Sequence, residues 1–254
     1  MFPILQVGPL AIRTAGLLLL AGAFLGLYLA ERYAARRGLH PERMYSLVML
    51  MFAVGVLAAR LSFAAQHPGA FRTSPLNLVS LDLGLLDPFG GLALALLAGL
   101  VYGRKKGLPF WPTLDALTPA LAVFAVFLGL SHWAAGTAFG APTSLPWGIE
   151  LWGAKRHPSQ VYETLAALAI LAILWRRFAV ESRPGRLFLG FIALSAGNIL
   201  FLGAFRGEGA LLPGGLRLDQ VLAWLVLAGS LWLLERRAGQ AGDDLPARKS
   251  PPAG

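Results

Sequence analysis

Eight consecutive residues, Arg156-His157-Pro158-Ser159-Gln160-Val161-Tyr162-Glu163, set a guanidinium, an imidazole, a carboxamide, a phenol and a carboxylate before a long apolar run. Three further arginines, Arg13, Arg60 and Arg206, also lie in or at the ends of apolar segments. An ionisable group at such a depth is expensive and marks a functional site by default. Guanidinium forks match phosphate oxygens, so the chemistry first indicated is capture of a lipid headgroup. The plainer alternative is that each arginine reaches the membrane interface alone. The octet also has a plain reading, as the start of a helix whose polar groups only bond to neighbouring helices. Pro158 suits a first helical turn, and Gln160, three residues after His157, can reach back as in a capping box. Helical spacing then puts Arg156, Gln160 and Glu163 on one stripe, with Tyr162 beside it.

The elements that carry these groups follow from composition. The chain has 254 residues, 56% hydrophobic and 14% charged, with a mean hydropathy of +0.63, whereas soluble domains carry about 25% charged residues. Runs such as "LAALAILAILW" do not alternate, which excludes a transmembrane barrel and predicts an all-α integral membrane protein. Seven spans are expected, at about 14–31, 44–65, 86–103, 109–135, 159–176, 186–205 and 218–235. The N-terminus lacks the basic start and cleavage site of a signal peptide, so its first apolar segment is expected to be retained.

Fifteen of the 22 lysines and arginines follow spans one, three, five and seven, including Arg32, Arg43, Lys105, Arg177 and Arg237. The positive-inside rule places that side in the cytoplasm and the N-terminus outside. The net charge of +9 is therefore a topology signal and does not point to nucleic acid. Residues 1–237 read as one seven-span domain, with outer loops at 66–85 and 137–157 able to form short interfacial helices or a small cap. The tail 238–254 is polar and rich in Pro and Gly, as a disordered cytoplasmic tail would be. There is no internal repeat of the kind that builds transporters, and no cysteine. His, Asp and Glu show no metal-ligand spacing, so neither metal nor cofactor is expected.

The octet "RHPSQVYE" resembles "RHPSQLYE", a hallmark of the bacterial prolipoprotein diacylglyceryl transferases. Other stretches agree in order. "GPLAIRTAGLLLLAG" is similar to the family's opening, and "GVLAARL" to its "GARLGY". "FGGLALALLAGLVYGRKKGLPFWPTLDALTPALA" resembles its third and fourth spans. "GAPTSLPWGI" looks like "GRPTDLPWGV", and "LFLGAFRGE" like "FLVEFFRGE". The similarity covers about residues 8–235. It implies a seven-span bundle in the cytoplasmic (inner) membrane, with its site towards the outer face. It also implies transfer of diacylglycerol from phosphatidylglycerol, or a similar anionic phospholipid, to the lipobox cysteine in the signal-peptide segment of exported prolipoproteins, by a monomer.

Several functional positions of the family differ here. Its "FHGG" histidine corresponds to Phe89, the Arg of its "GRxGN" to Gly129 and the Asn of that motif to His132. The aromatic after "IRW" becomes Ala15, the span-six Arg becomes Asn198, the nearby Glu becomes Gly203 or a close neighbour, and the "GRP" arginine becomes Ala141. Retained are Arg13, Arg60, the scaffold residues Gly90, Gly91 and Asp115, the octet and Arg206. The implied reaction needs a base near the incoming thiol and positive charge on the departing phosphate. His132 and His157 are the candidate bases; a structural role at an interface or helix start is the alternative for each. Arg13, Arg60, Arg156 and Arg206, with Gln160, Tyr162 and Glu163, are the candidate substrate and phosphate ligands. The alternative overall is an inactive relative that binds phospholipid or lipobox peptide at the same place.

Overall fold

The computed structural model describes residues 4–7, 10–73, 83–151, 153–181, 183–207 and 217–243. Helices dominate: α1 (Thr14–Arg36), α2 (Pro41–Gln66), the short α3 (Pro68–Thr73), α4 (Pro88–Lys105), α5 (Phe110–Ala135), α6 (Ser159–Phe178), α7 (Arg186–Gly203) and α8 (Leu218–Asp243). Two antiparallel hairpins accompany them: β1 (Ile4–Val7) with β2 (Leu10–Arg13), and β3 (Ile149–Leu151) with β4 (Ala154–Arg156).

Every expected span has a long helix at its place. Five are long and apolar enough to cross a membrane: Thr14–Arg36, Pro41–Gln66, Phe110–Ala135, Arg186–Gly203 and Leu218–Ala238. The chain is a multi-pass membrane protein. The polar ends of α4 and α6, Arg104 and Lys105 in one and Gln160, Glu163, Arg176 and Arg177 in the other, dilute their apolar character.

Three expectations about local structure change. The loop 137–157, open in the sequence to interfacial helices or a small cap, holds the hairpin β3–β4, while 66–85 does hold α3 and a 3₁₀ turn at Leu83–Leu85; residues 74–82 lie outside the described residues. The helix α8 runs on to Asp243, six residues into the expected tail, and residues 244–254 lie outside the description. Arg156 does not share a helical stripe with Gln160 and Glu163, because pairing with Ile149 draws it into β4.

The chain forms two compact units that divide inside α5, one Phe2–Phe127 and the other Leu128–Gly254. In the first, α2 packs along α4 through small residues. A Cβ on Gly91 would lie 2.7 Å from Ala59 Cβ and 2.8 Å from the Gly55 carbonyl oxygen, so only glycine lets the backbones meet this closely. Asp87 caps α4, accepting from the amides of Phe89 (3.1 Å) and Gly90 (3.2 Å), which satisfies two donors a helix start otherwise leaves open. Arg43, at the start of α2, donates to the Lys106 carbonyl just beyond α4. In the second unit α7 packs on both α6 and α8. Exposed helix faces in both units are apolar, with Phe24, Leu57 and Leu92 in one and Leu165, Trp224 and Leu225 in the other, as hydrocarbon solvent requires.

Candidate active site

One end of the second unit gathers the end of α5, the segment 136–158, the starts of α6 and α8 and the end of α7. At its centre is Glu163, one turn into α6. Its Oε2 lies 3.1 Å from His132 Nδ1, and its Oε1 accepts from Arg206 Nε at 3.1 Å and also from Arg206 Nη2. A carboxylate can only accept, so Nδ1 of His132 carries the proton and Nε2 is left as the basic nitrogen. The Glu163 side chain is 14% exposed, against 29% for His132 and 34% for Arg206. The anion is thus the buried partner, and the base and the cation reach outward from it.

The rest of the octet holds a loop. Ser159 and Gln160, both essentially fully buried, donate to the carbonyls of Ala138 (2.6 Å) and Thr137 (2.9 Å). These two bonds pin a backbone in which Ala138 has φ +54, a left-handed conformation uncommon outside glycine. Gln160 therefore does not close a capping box with His157; its amide is needed across the loop, and Pro158 caps α6 without a side-chain bond. Its buried Oε1 accepts from nothing among the described residues. Arg156 donates to the Leu151 carbonyl (3.3 Å) and, at 3.5 Å, towards that of Gly140, and lies over the Phe139 ring. Its described contacts are all within residues 139–151.

His157 faces inward among aromatics. Its ring stands edge-on to Tyr162 and Phe205, and Nδ1 is 3.4 Å from the Tyr162 hydroxyl, which accepts from Trp147 Nε1 at 2.9 Å. Its backbone bonds Gly140 and Ala141. Gly140 is required there, because an added Cβ would sit 2.5 Å from His157 Cβ and 2.6 Å from its carbonyl oxygen.

The other candidates belong to the first unit. Arg13 ends β2 and caps α1 as an exposed residue. Arg60 is buried and donates to the Leu85 carbonyl at 3.2 Å. Asp115 is buried in α5. Gly90, like Gly91, is a contact glycine, its Cβ position 2.5 Å from Ser62 Oγ.

The places where family charges are missing are informative. A Cβ on Gly129 would lie 2.5 Å from Thr164 Oγ1 and 3.0 Å from the Thr164 amide. One on Gly203 would meet Gln220 Nε2 at 2.8 Å. At Gly129 the backbone of the neighbouring helix occupies the volume a long side chain would need, whereas at Gly203 it is the Gln220 side chain that does so. Phe89, by contrast, is 84% exposed.

Arg217 was missed as a site residue. It donates to the carbonyls of Gly203 (3.0 Å) and Arg206 (2.9 Å) and so fixes the turn that presents Arg206. Its place among the seven outward basic residues was the available signal. Trp147, within the "LPWG" stretch, also touches the octet unforeseen. Among the described residues no group of three or more His, Cys, Asp or Glu is placed to hold a metal ion.

Known proteins resemble this chain over nearly its whole length. A family model described as prolipoprotein diacylglyceryl transferase matches residues 3–235. A phosphatidylglycerol–prolipoprotein diacylglyceryl transferase of Solidesulfovibrio magneticus is 33% identical, over 92% of this chain and 93% of its own length. Proteins of the same name are 30% identical in Chloroflexus aggregans, over 85% of this chain and 75% of the relative, and 29% identical in Geobacillus kaustophilus, over 93% of each.

Proposed function

The chain belongs to the prolipoprotein diacylglyceryl transferase family, and on that premise we propose that it transfers diacylglycerol from phosphatidylglycerol to the lipobox cysteine of exported prolipoproteins. The observation that carries this reading is the bridge made by Glu163 between Nδ1 of the His132 imidazole and the Arg206 guanidinium, which leaves the imidazole Nε2 as the base. Relatives named for the same reaction support it, and nothing in those names favours the alternative of a relative that binds without reacting.

In the proposed reaction His132 Nε2 takes the proton of the incoming thiol. The thiolate attacks the glyceryl carbon that carries the phosphate ester, a C–S bond forms and the C–O bond breaks. Glycerol phosphate leaves with the electron pair, and negative charge grows on it as it departs. Arg206 spends Nε and one Nη2 hydrogen on Glu163, and its remaining donors, which no side-chain bond engages among the described residues, can take that phosphate. Glu163 thus holds the base in one tautomer and the cation in one orientation before substrate arrives, and this preorganisation is what electrostatic catalysis requires. His157, its Nδ1 turned to Tyr162, orders the aromatic wall, while Arg156, Ser159 and Gln160 hold the loop beside the site. Phe89 leaves the family's histidine position without a base, and His132 supplies one from α5.

The reading places the site at the outer face of a seven-span cytoplasmic-membrane protein. Support comes from charge within each unit. Arg176, Arg177, Arg183, Arg186, Arg236 and Arg237 lie at the end of the second unit opposite Glu163, where Arg237 donates to the Pro184 carbonyl. All the groups invoked come from one chain, as a monomer would require. Purified protein given phosphatidylglycerol and a lipobox peptide should release glycerol phosphate and form a thioether-linked peptide. Phosphatidylglycerol binding without release would overturn the proposal.

A further inference from the structure

The first unit carries a groove of ≈ 380 Å³ between α2, α4 and the start of α5, lined by none of the candidate site residues. Its walls are apolar, from Met51, Leu100, Leu108 and Leu117 among others. The one hydroxyl in its lining, Thr113 Oγ1, is turned back onto the Pro109 carbonyl at 2.6 Å. The space exists because α4 presents Gly99 and Gly103 one turn apart: Met51 closes over Gly99, while nothing lies within 4 Å of a Cβ placed on Gly103.

Arg104 lines the same groove. It is exposed, and no hydrogen bond engages its guanidinium among the described residues. Lys105 and Lys106 follow it, and Arg43 is bonded to the Lys106 carbonyl. Four cations therefore stand at one end of an apolar slot, with Glu42 the one acid in the adjoining turns of α2 and α4.

We propose that this groove binds one acyl chain of an anionic phospholipid, with the lipid phosphate on Arg104. Volume and charge select the occupant. The groove is apolar along its walls and charged at one end, as an acyl chain with its headgroup is. It suits a single extended chain, at the small end of ligand sites. The cationic end favours a phosphate whose charge stands alone over one that a headgroup ammonium already offsets. By the charge-based topology this lipid belongs to the cytoplasmic leaflet, so it is not the lipid consumed at Glu163. The inference does not depend on the transferase reading.

The test uses the full chain in phosphatidylcholine nanodiscs containing trace lipid with a photoactivatable group in the acyl chain, followed by mapping of the labelled peptides. One basic residue near a headgroup is worth about fivefold in occupancy, so labelled phosphatidylglycerol should mark the Leu100 and Leu108 peptides about fivefold more than labelled phosphatidylcholine. Arg104→Gln should lower that preference, leaving what Arg43, Lys105 and Lys106 supply, and an unchanged preference would overturn the placing of the phosphate on Arg104. Gly103→Leu and Leu108→Trp, which fill the slot, should each abolish labelling there. Equal labelling by both lipids in the unaltered protein overturns the proposal without need of any variant. So does phosphatidylglycerol labelling that survives both fillings, or labelling by photoactivatable palmitate equal to that by phosphatidylglycerol.

Discussion

Arg206 and Glu163, 43 positions apart in the sequence, meet through a single carboxylate oxygen: Nε and Nη2 of the arginine both donate to Oε1. That choice leaves Oε2 for His132. The base and the cation of the proposed reaction are thus fixed by one buried anion, and neither can be disturbed without freeing the other's anchor.

Glu163→Gln tests this coupling. An amide cannot serve both partners as a carboxylate does, so kcat should fall by about 10²–10³ with a smaller change in KM. Combined with His132→Ala, the double variant should be little slower than His132→Ala alone, because the two act as a unit. Additive losses in steady-state kinetics would show that they act separately.

The two histidines separate by their surroundings. His132→Ala should cost about 10²–10⁴ in rate, as for loss of a general base. His157→Ala should instead lower thermal stability, since the imidazole packs on Tyr162 and Phe205, with less than about a tenth of the rate effect of His132→Ala. Glycerol phosphate release and thermal denaturation in detergent read both outcomes, and the reverse ranking would move the base to His157.

Restoring the family's residues should succeed at one position and fail at the other. Phe89→His is accommodated on an exposed surface and should leave folding unchanged. Gly129→Arg puts a side chain into Thr164, 2.5 Å from the added Cβ, and should destabilise the helix pair by about 1–3 kcal/mol or more. Melting temperatures of the two variants check this directly.

Gln160→Leu removes the donor that holds the Thr137 carbonyl. Leaving that acceptor unsatisfied should cost about 1–3 kcal/mol. The loop at Ala138 should also become more open to protease than in the unaltered protein. An unchanged cleavage pattern would show that Gln160 does not hold the loop.

The chain has no cysteine, so topology can be tested with single introduced thiols. Thr143→Cys should react with an impermeant reagent from outside intact cells, and Lys105→Cys only after permeabilisation. The opposite pattern would invert the proposed orientation.

The positions of the helices could be read from the sequence, because hydrocarbon forces every backbone group into local bonds and apolar runs therefore become helices. The end carrying positive charge could be read for a similar reason, since loop arginines need no tertiary partner to be counted. The octet could be recognised as important, but its division of labour could not be read. Arg156 looked like a phosphate ligand until pairing with Ile149 drew it into a strand and the Leu151 carbonyl took its Nε. Gln160 looked like a cap until folding brought Thr137 to it. Only the tertiary structure joins His132, Glu163 and Arg206, since they come from three helix ends spread over 75 positions and no local spacing records that meeting. Gly129 reads as a lost charge in the sequence; in the fold it is a contact where helices touch, because backbone proximity across helices is a property of the packing alone.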